Sequence, residues 1–528
     1  MTPALLLLPV MVLAPVAVAA LVLPARTRRA ATALAPWTPL AALAAAVLVP
    51  DGATLRLPAV LLGTTLALDT MGRLFLGVSA LVWLAAGAHR RPAGGWVAGA
   101  AEVRRTVFFL LSQAGSLGAL ATMEPVPFYL FFAVATVAAY GMIAAGATLA
   151  GRAAGRLYLA IALFGELLAL AAFMLFAAGQ APGLAAVLLL FGLGNKLGLL
   201  PLHLALAPAY AAMPAAATAA FAGPVLNAAV YGLLRFLPLA GPALPDLTGL
   251  LVVLGLATAF TGGLLALLQD DPKALLGYST VSQMGILTTG LAAAPLAPAV
   301  ILFALLHAVT KAALVLGTDA GRRGPVPLAV LVLPALSLAA LPPAGGALAK
   351  AWLEEGASAL PEPWAGVLHV GLPLTSTATA LYMARFLWLV ARKAPARGVP
   401  VAPFLALAAT ALAGPWIVAV AWRAAADAPA MMMAHAWTLV WPVVLGTVLA
   451  VAGWRAGVSL PRLPDVDPDA LRPSGSTAAR FPPAIGRRPR RAGLWARVVA
   501  VEARLRTQRM LGLVFFAMLA LMAVLAHA

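Results

Sequence analysis

Apolar residues fall along this chain in long unbroken runs, with no alternation that would suit exposed strands. From Leu5–Leu23 to the C-terminal 509–527, roughly 14–16 runs are long enough to cross a bilayer as α-helices. Lipid leaves no water for backbone groups, so the pattern predicts an all-α polytopic bundle. The first run lacks a basic leader and is followed at once by another, so it reads as a retained helix. One short stretch departs from the pattern. "ATLRLPAVLLGTTLA" (53–67) has the look of a small hairpin outside the membrane.

The polar punctuation orients the bundle. Arg clusters at 26–29, 89–105, 321–324, 392–397 and 454–508 fall on one side, while Asp51, Glu124, Glu354, Glu355 and Glu362 fall on the other. By the positive-inside rule both termini lie outside, the periplasmic side of a bacterial inner membrane. Residues 454–508 form the one long polar stretch. It is Pro/Arg-rich and ends in "AGLWARVVAVEARLRTQ", a basic amphipathic helix for the membrane surface or for a cytoplasmic partner.

Composition agrees with the pattern. Of 528 residues, 63% are hydrophobic and 10% charged. The net charge of +18 reflects loop arginines and is no sign of nucleic-acid binding. The absence of Cys excludes disulfides, iron–sulfur ligation and Cys–zinc sites on this chain. No phosphate loop, metal cluster, haem pattern or nucleophile–base pair stands out, so neither a cofactor nor redox chemistry is expected here, and whether the chain is itself an enzyme stays open.

The five lysines among 35 basic residues carry the chemical signal. Lys196 and Lys311 lie inside apolar runs, Lys350 lies in or at the end of one, and Lys273 and Lys393 flank others. A charge at bilayer depth costs about 2.5–3.5 kcal/mol on insertion scales. A buried lysine, unlike arginine, can shed its proton to avoid that cost. Lys196 precedes Pro201, and "LPPAGG" (341–346) precedes Lys350. Each proline frees a backbone carbonyl by breaking the helix. His307 and Lys311 share a helical face at i, i+4. The competing reading of each is a snorkelling or helix-end side chain.

Four ordered stretches carry a resemblance: "NKLGLLPLHLALAPAYAAMPAAATAAFAGPVLNAAVYGLLRF" (195–236), "DPKALLGYSTVSQMGI" (271–286), "LLHAVTKAALVLGTDAG" (305–321) and "LSLAALPPAGGALAKAWLEEG" (336–356). Over roughly residues 65–390 the chain resembles the antiporter-like membrane subunits of respiratory complex I, of group 4 membrane-bound hydrogenases and of multisubunit cation/proton antiporters. The resemblance implies two inverted five-helix repeats, 103–238 and 247–391, each with a broken helix. Around them stand N-terminal helices (1–102), C-terminal helices (403–453), the 454–508 segment and a last helix (509–527). It implies a proton path through Lys196, His307, Lys311 and Lys350. His203, just after the break, reads either as a further relay group or as a helix-end His bonded to backbone, and Tyr278, Ser279 and Ser282 line one run either as a water wire or as small polar residues packing helices.

Two departures touch the first half. The family's fifth-helix glutamate has no counterpart in 128–143, and Asn227 stands where a titratable eighth-helix residue is usual. Glu166, on the next helix, is the acid that could replace the missing partner of Lys196. In the second half Phe303 stands where a second His is common. The implied function is proton translocation within a multisubunit energy-coupling complex, alongside other membrane subunits and a peripheral cytoplasmic module. An inorganic-carbon uptake complex, a cation/proton antiporter moving other monovalent cations and a non-pumping scaffold are the alternatives.

Overall fold

The computed structural model describes residues 3–58, 63–90, 99–146, 148–238, 247–292, 297–421, 428–458, 460–463 and 494–527. Most of the Arg/Pro-rich segment and part of the 89–105 loop therefore lie outside the described residues.

The chain is nearly all helix. α1 (Leu7–Val22) turns at Pro24 into α2 (Ala25–Leu34) and α3 (Leu40–Leu48). The "RTRR" cluster, expected in a loop, occupies the first turns of α2. Pro24 caps that helix, and the Arg28 guanidinium donates back to the carbonyls of Val22 and Leu23 at 3.1 and 2.9 Å, satisfying the end of α1. The expected hairpin is present as β1 (Thr54–Leu57) antiparallel to β2 (Thr64–Ala67). α4 (Thr70–His89) begins with Asp69 as N-cap, which accepts from the Gly72 amide at 2.8 Å. Asp69 also pairs with Arg235 at 2.6 Å. That contact ties the end of a later helix, Leu226–Phe236, which Arg235 occupies, to the start of α4.

Two series of helices follow. The first is α5 (Ala100–Leu120), α6 (Pro125–Ala144), α7 (Leu149–Ala178), α8 (Pro182–Leu197) with its continuation α9 (Leu206–Ala212), and α10 (Ala215–Ala220) running through a π-turn at Pro224 into α11 (Leu226–Phe236). The second is α12 (Leu247–Leu267), α13 (Pro272–Gly290), α14 (Ala297–Ala320), α15 (Pro325–Leu338) with its continuation α16 (Gly345–Ala357), and α17 (Trp364–Arg392). The fourth member of each series is interrupted. α8 ends at Gly198, whose φ of 73° is a left-handed conformation that favours glycine. α15 stops at Leu338, and the segment containing Pro342 and Pro343 separates it from α16. α18 (Ala402–Ala421), α19 (Ala428–Ala434), α20 (Ala436–Arg455), the amphipathic α21 (Leu494–Leu505) and α22 (Gln508–His527) complete the chain.

Among the described residues, 11 helices are long and apolar enough to span a membrane, and three shorter apolar helices add to them. α5 and α13 have the length but are too polar to be among the 11. α13 is buried over almost its whole length, Leu275 to Gly290 included. Arg385 sits near the end of the long α17. There it bonds the Gln269 carbonyl and pairs with Asp270 at 2.8 Å, so it pins a helix end.

Candidate functional site

The candidate residues are buried polar side chains gathered in several clusters of the helix interior. Lys196 lies in the last turn of α8, just before the break, and is 1% exposed. Its Nζ is 3.6 Å from Glu166 Oε1 on α7, at ion-pair distance, and stands 5.5 and 5.4 Å from the ring centroids of Phe132 and Tyr158. Thr136 on α6 donates its hydroxyl to the same carboxylate oxygen at 2.6 Å. The stretch without an acid thus supplies a hydroxyl in place of one.

A close helix crossing sets this geometry. A Cβ at Gly165 would lie 1.3 Å from the Asn195 side-chain nitrogen and 2.9 Å from the Gly192 carbonyl oxygen. Only glycine lets α7 approach α8 this closely, and the approach brings neighbouring Glu166 to Lys196. Among the described residues Glu166 Oε2, Lys196 Nζ and the Tyr158 hydroxyl are buried without a hydrogen-bond partner in the protein. Groups of that kind normally meet water.

Beyond the break, His203 is buried and its Nε2 lies 3.1 Å from Glu502 Oε2 on α21. Asn227, on α11, donates to Ser79 at the long distance of 3.5 Å. In the second series Lys311 is fully buried on α14. It donates to Ser279 Oγ at 2.7 Å and to the Leu276 carbonyl at 3.5 Å. Tyr278 points elsewhere, donating to Glu502 Oε1 at 2.5 Å. Ser282 Oγ is buried without a partner in the protein. Both ring nitrogens of His307 are likewise orphaned. His307 lines a cavity of about 10 Å³ with Gln283, Ser337 and Lys350, roughly what one water requires.

Lys350 is 1% exposed and donates to Thr375 at 3.3 Å and to Ser376, both on α17. Glu354, one turn along α16, turns away to Thr438 and His435. The structure brings Lys196 to Glu166, Lys311 to Ser279, and His307 to the Lys350 cavity. His203 and Tyr278 meet at Glu502. A cleft of about 520 Å³ lies elsewhere, among His89, Arg90, Glu102, Arg105, Asp319 and Arg397 at the helix ends.

Sequence reasoning missed Thr136, Tyr158, Ser376, Glu502 and Arg506. For the last two a signal was present. Val499, Glu502 and Arg506 follow one another at helical spacing, so a carboxylate and, just past the end of α21, a guanidinium continue an apolar stripe.

Residues 122–375 match the family described as NADH:quinone oxidoreductase/Mrp antiporter, transmembrane. The chain is 30% identical over 368 residues to NADH-quinone oxidoreductase subunit N of Desulforudis audaxviator, covering 62% of this chain and 70% of that one. It is 29% identical over 323 residues to hydrogenase-4 component B of Escherichia coli, spanning 52% of this chain and about half, 48%, of that relative. Among solved structures it is similar in fold to a chain of the Mrp complex from Dietzia sp. DQ12-45-1b. The TM-score is 0.66 at 23% identity, covering 85% of this chain and 100% of that one.

Proposed function

Because the chain belongs to the NADH:quinone oxidoreductase/Mrp antiporter transmembrane family, we propose that it is a proton-translocating membrane subunit of a multisubunit energy-coupling complex. The observation that carries this reading is Lys196, a lysine 1% exposed in the last turn before a helix break, with one carboxylate at 3.6 Å. Desolvation favours the neutral amine and the Glu166 carboxylate favours the ammonium. Such a lysine switches when the charge beside it changes. Glu166 takes the place of the family's fifth-helix acid, and Thr136 fixes the oxygen that faces the lysine.

The two helix series, 103–238 and 247–391, act as two inverted halves. In the second, protons pass from Lys311 through His307 and one bridging water to Lys350. Ser376 and Thr375 hold Lys350 at the far end. Redox or other driving chemistry resides on partner subunits: other membrane chains and a peripheral module. The Lys196–Glu166 pair argues against a non-pumping scaffold, since a buried ion pair adds little stability over packed apolar side chains.

The test is proton uptake by proteoliposomes holding the whole complex in buffer free of sodium and potassium. Uptake should persist at an undiminished rate. Uptake that disappears without those cations would assign the chain to a cation/proton antiporter instead.

The Arg distribution further orients the chain with both termini outside and 454–508 inside. Ser474→Cys in this Cys-free chain should resist an impermeant thiol reagent added from outside and react after permeabilisation. Labelling from outside would reverse the orientation.

A further inference from the structure

The amphipathic helix α21 does more than rest on the surface. Glu502 is 4% exposed and Arg506 6%. Glu502 Oε2 meets His203, just past the first helix break, and Oε1 accepts from Tyr278 of α13 in the second series. Arg506 bonds both Tyr278 and Glu502, the latter at 3.2 Å. One carboxylate from a surface helix therefore touches both series where they adjoin. Burial alone would raise the Glu502 carboxyl. His203, Arg506 and the Tyr278 hydroxyl outweigh it and hold the group at about 2, so it stays anionic through the physiological range.

α22 fastens the same unit beside the Lys196 site. Phe515 stacks on Phe164 at 4.1 Å, two positions before Glu166. Among the described residues, the charged and titratable groups meeting Glu502 are His203, Tyr278 and Arg506. Met510–Ala520 of α22 carry no charge.

We propose that Glu502 is a positioning residue of the proton path: it orients His203 and holds a fixed negative charge beside the imidazole, so that docking of α21 tunes the seam between the two halves. This rests on the proton-translocating reading above. A carboxylate beside an imidazole favours the protonated ring. Arg506 offsets part of that field.

The experiment is the pH profile of proton uptake by the whole complex in proteoliposomes. Glu502→Gln should move the profile toward acid by about one pH unit, whichever form of His203 is active, and Glu502→Asp should restore it. Arg506→Gln, which leaves the carboxylate less compensated, should move it toward alkali. A merely structural strap lowers the rate without moving the profile and predicts no opposite signs. Profiles of Glu502→Gln and Arg506→Gln that superimpose on the wild type would overturn the proposal. If Glu502→Gln fails to assemble, the alkaline shift of Arg506→Gln decides alone. Failure of the underlying reading shows separately, as uptake that survives Lys196→Arg.

Discussion

Lys196→Arg is expected to insert and assemble at wild-type yield yet translocate no protons. Arginine keeps the positive charge beside Glu166, and its planar head suits the flanking Phe132 and Tyr158 rings better than an ammonium does. A structural lysine would therefore tolerate the change well. A relay lysine would not, because guanidinium holds its proton with a pKa above ~12. Lys196→Ala and Lys196→Gln should fail as well, lacking a proton site. Glu166→Gln should keep partial transport and shift its pH dependence, since the charge favouring the ammonium is gone while Thr136 still has an oxygen to bond. The measurement is proton uptake in proteoliposomes, with assembly checked separately on the purified complex. Near wild-type pumping by Lys196→Arg would remove this residue from the path, and an unshifted profile in Glu166→Gln would return that acid to a packing role.

Lys311→Met should separate activity from stability. Lys311 is fully buried and makes no ion pair among the described residues. Its partners are a hydroxyl and a carbonyl. An unpaired cation is costly to hold in such a place, and methionine of similar length removes that cost. Uptake should fall at least about tenfold, equivalent to ~1.4 kcal/mol on the barrier. The thermal midpoint of the complex should hold or rise. A lysine kept for packing or hydrogen bonding predicts the reverse: a lower midpoint and little change in uptake.

What the sequence discloses depends on contrast. Lys196, His307 and Lys311 stand out because each interrupts an apolar run, and the two breaks stand out because proline and glycine cluster there. Glu166 was visible, but its depth was not. α7 has 30 residues, more than a straight span needs, and the pairing depends on the Gly165–Asn195 crossing between two helices. Thr136 was invisible because one hydroxyl in a helix of small and aromatic residues usually bonds its own backbone, as this one also does. Glu502 contacts residues 299 and 224 positions away in sequence, a range no local pattern encodes.

The buried polarity of α13 bears on how the protein is made. Tyr278, Ser279, Thr280, Ser282, Gln283, Thr288 and Thr289 are all shielded by neighbouring helices. Exposed to lipid on its own during synthesis, this segment would present those hydroxyl and amide groups to hydrocarbon. α12 is strongly apolar, precedes it by a turn of a few residues and packs along its length. Gly255 and Gly262 of α12 and Gly285 of α13 lie so close to the opposite backbone that a Cβ on any of them would come within 2.4–2.7 Å of it. The two helices are thus matched as a hairpin. Membrane insertion of the helix that carries Tyr278 and Ser279 is energetically a property of that pair, and its favourable transfer into the bilayer comes from α12.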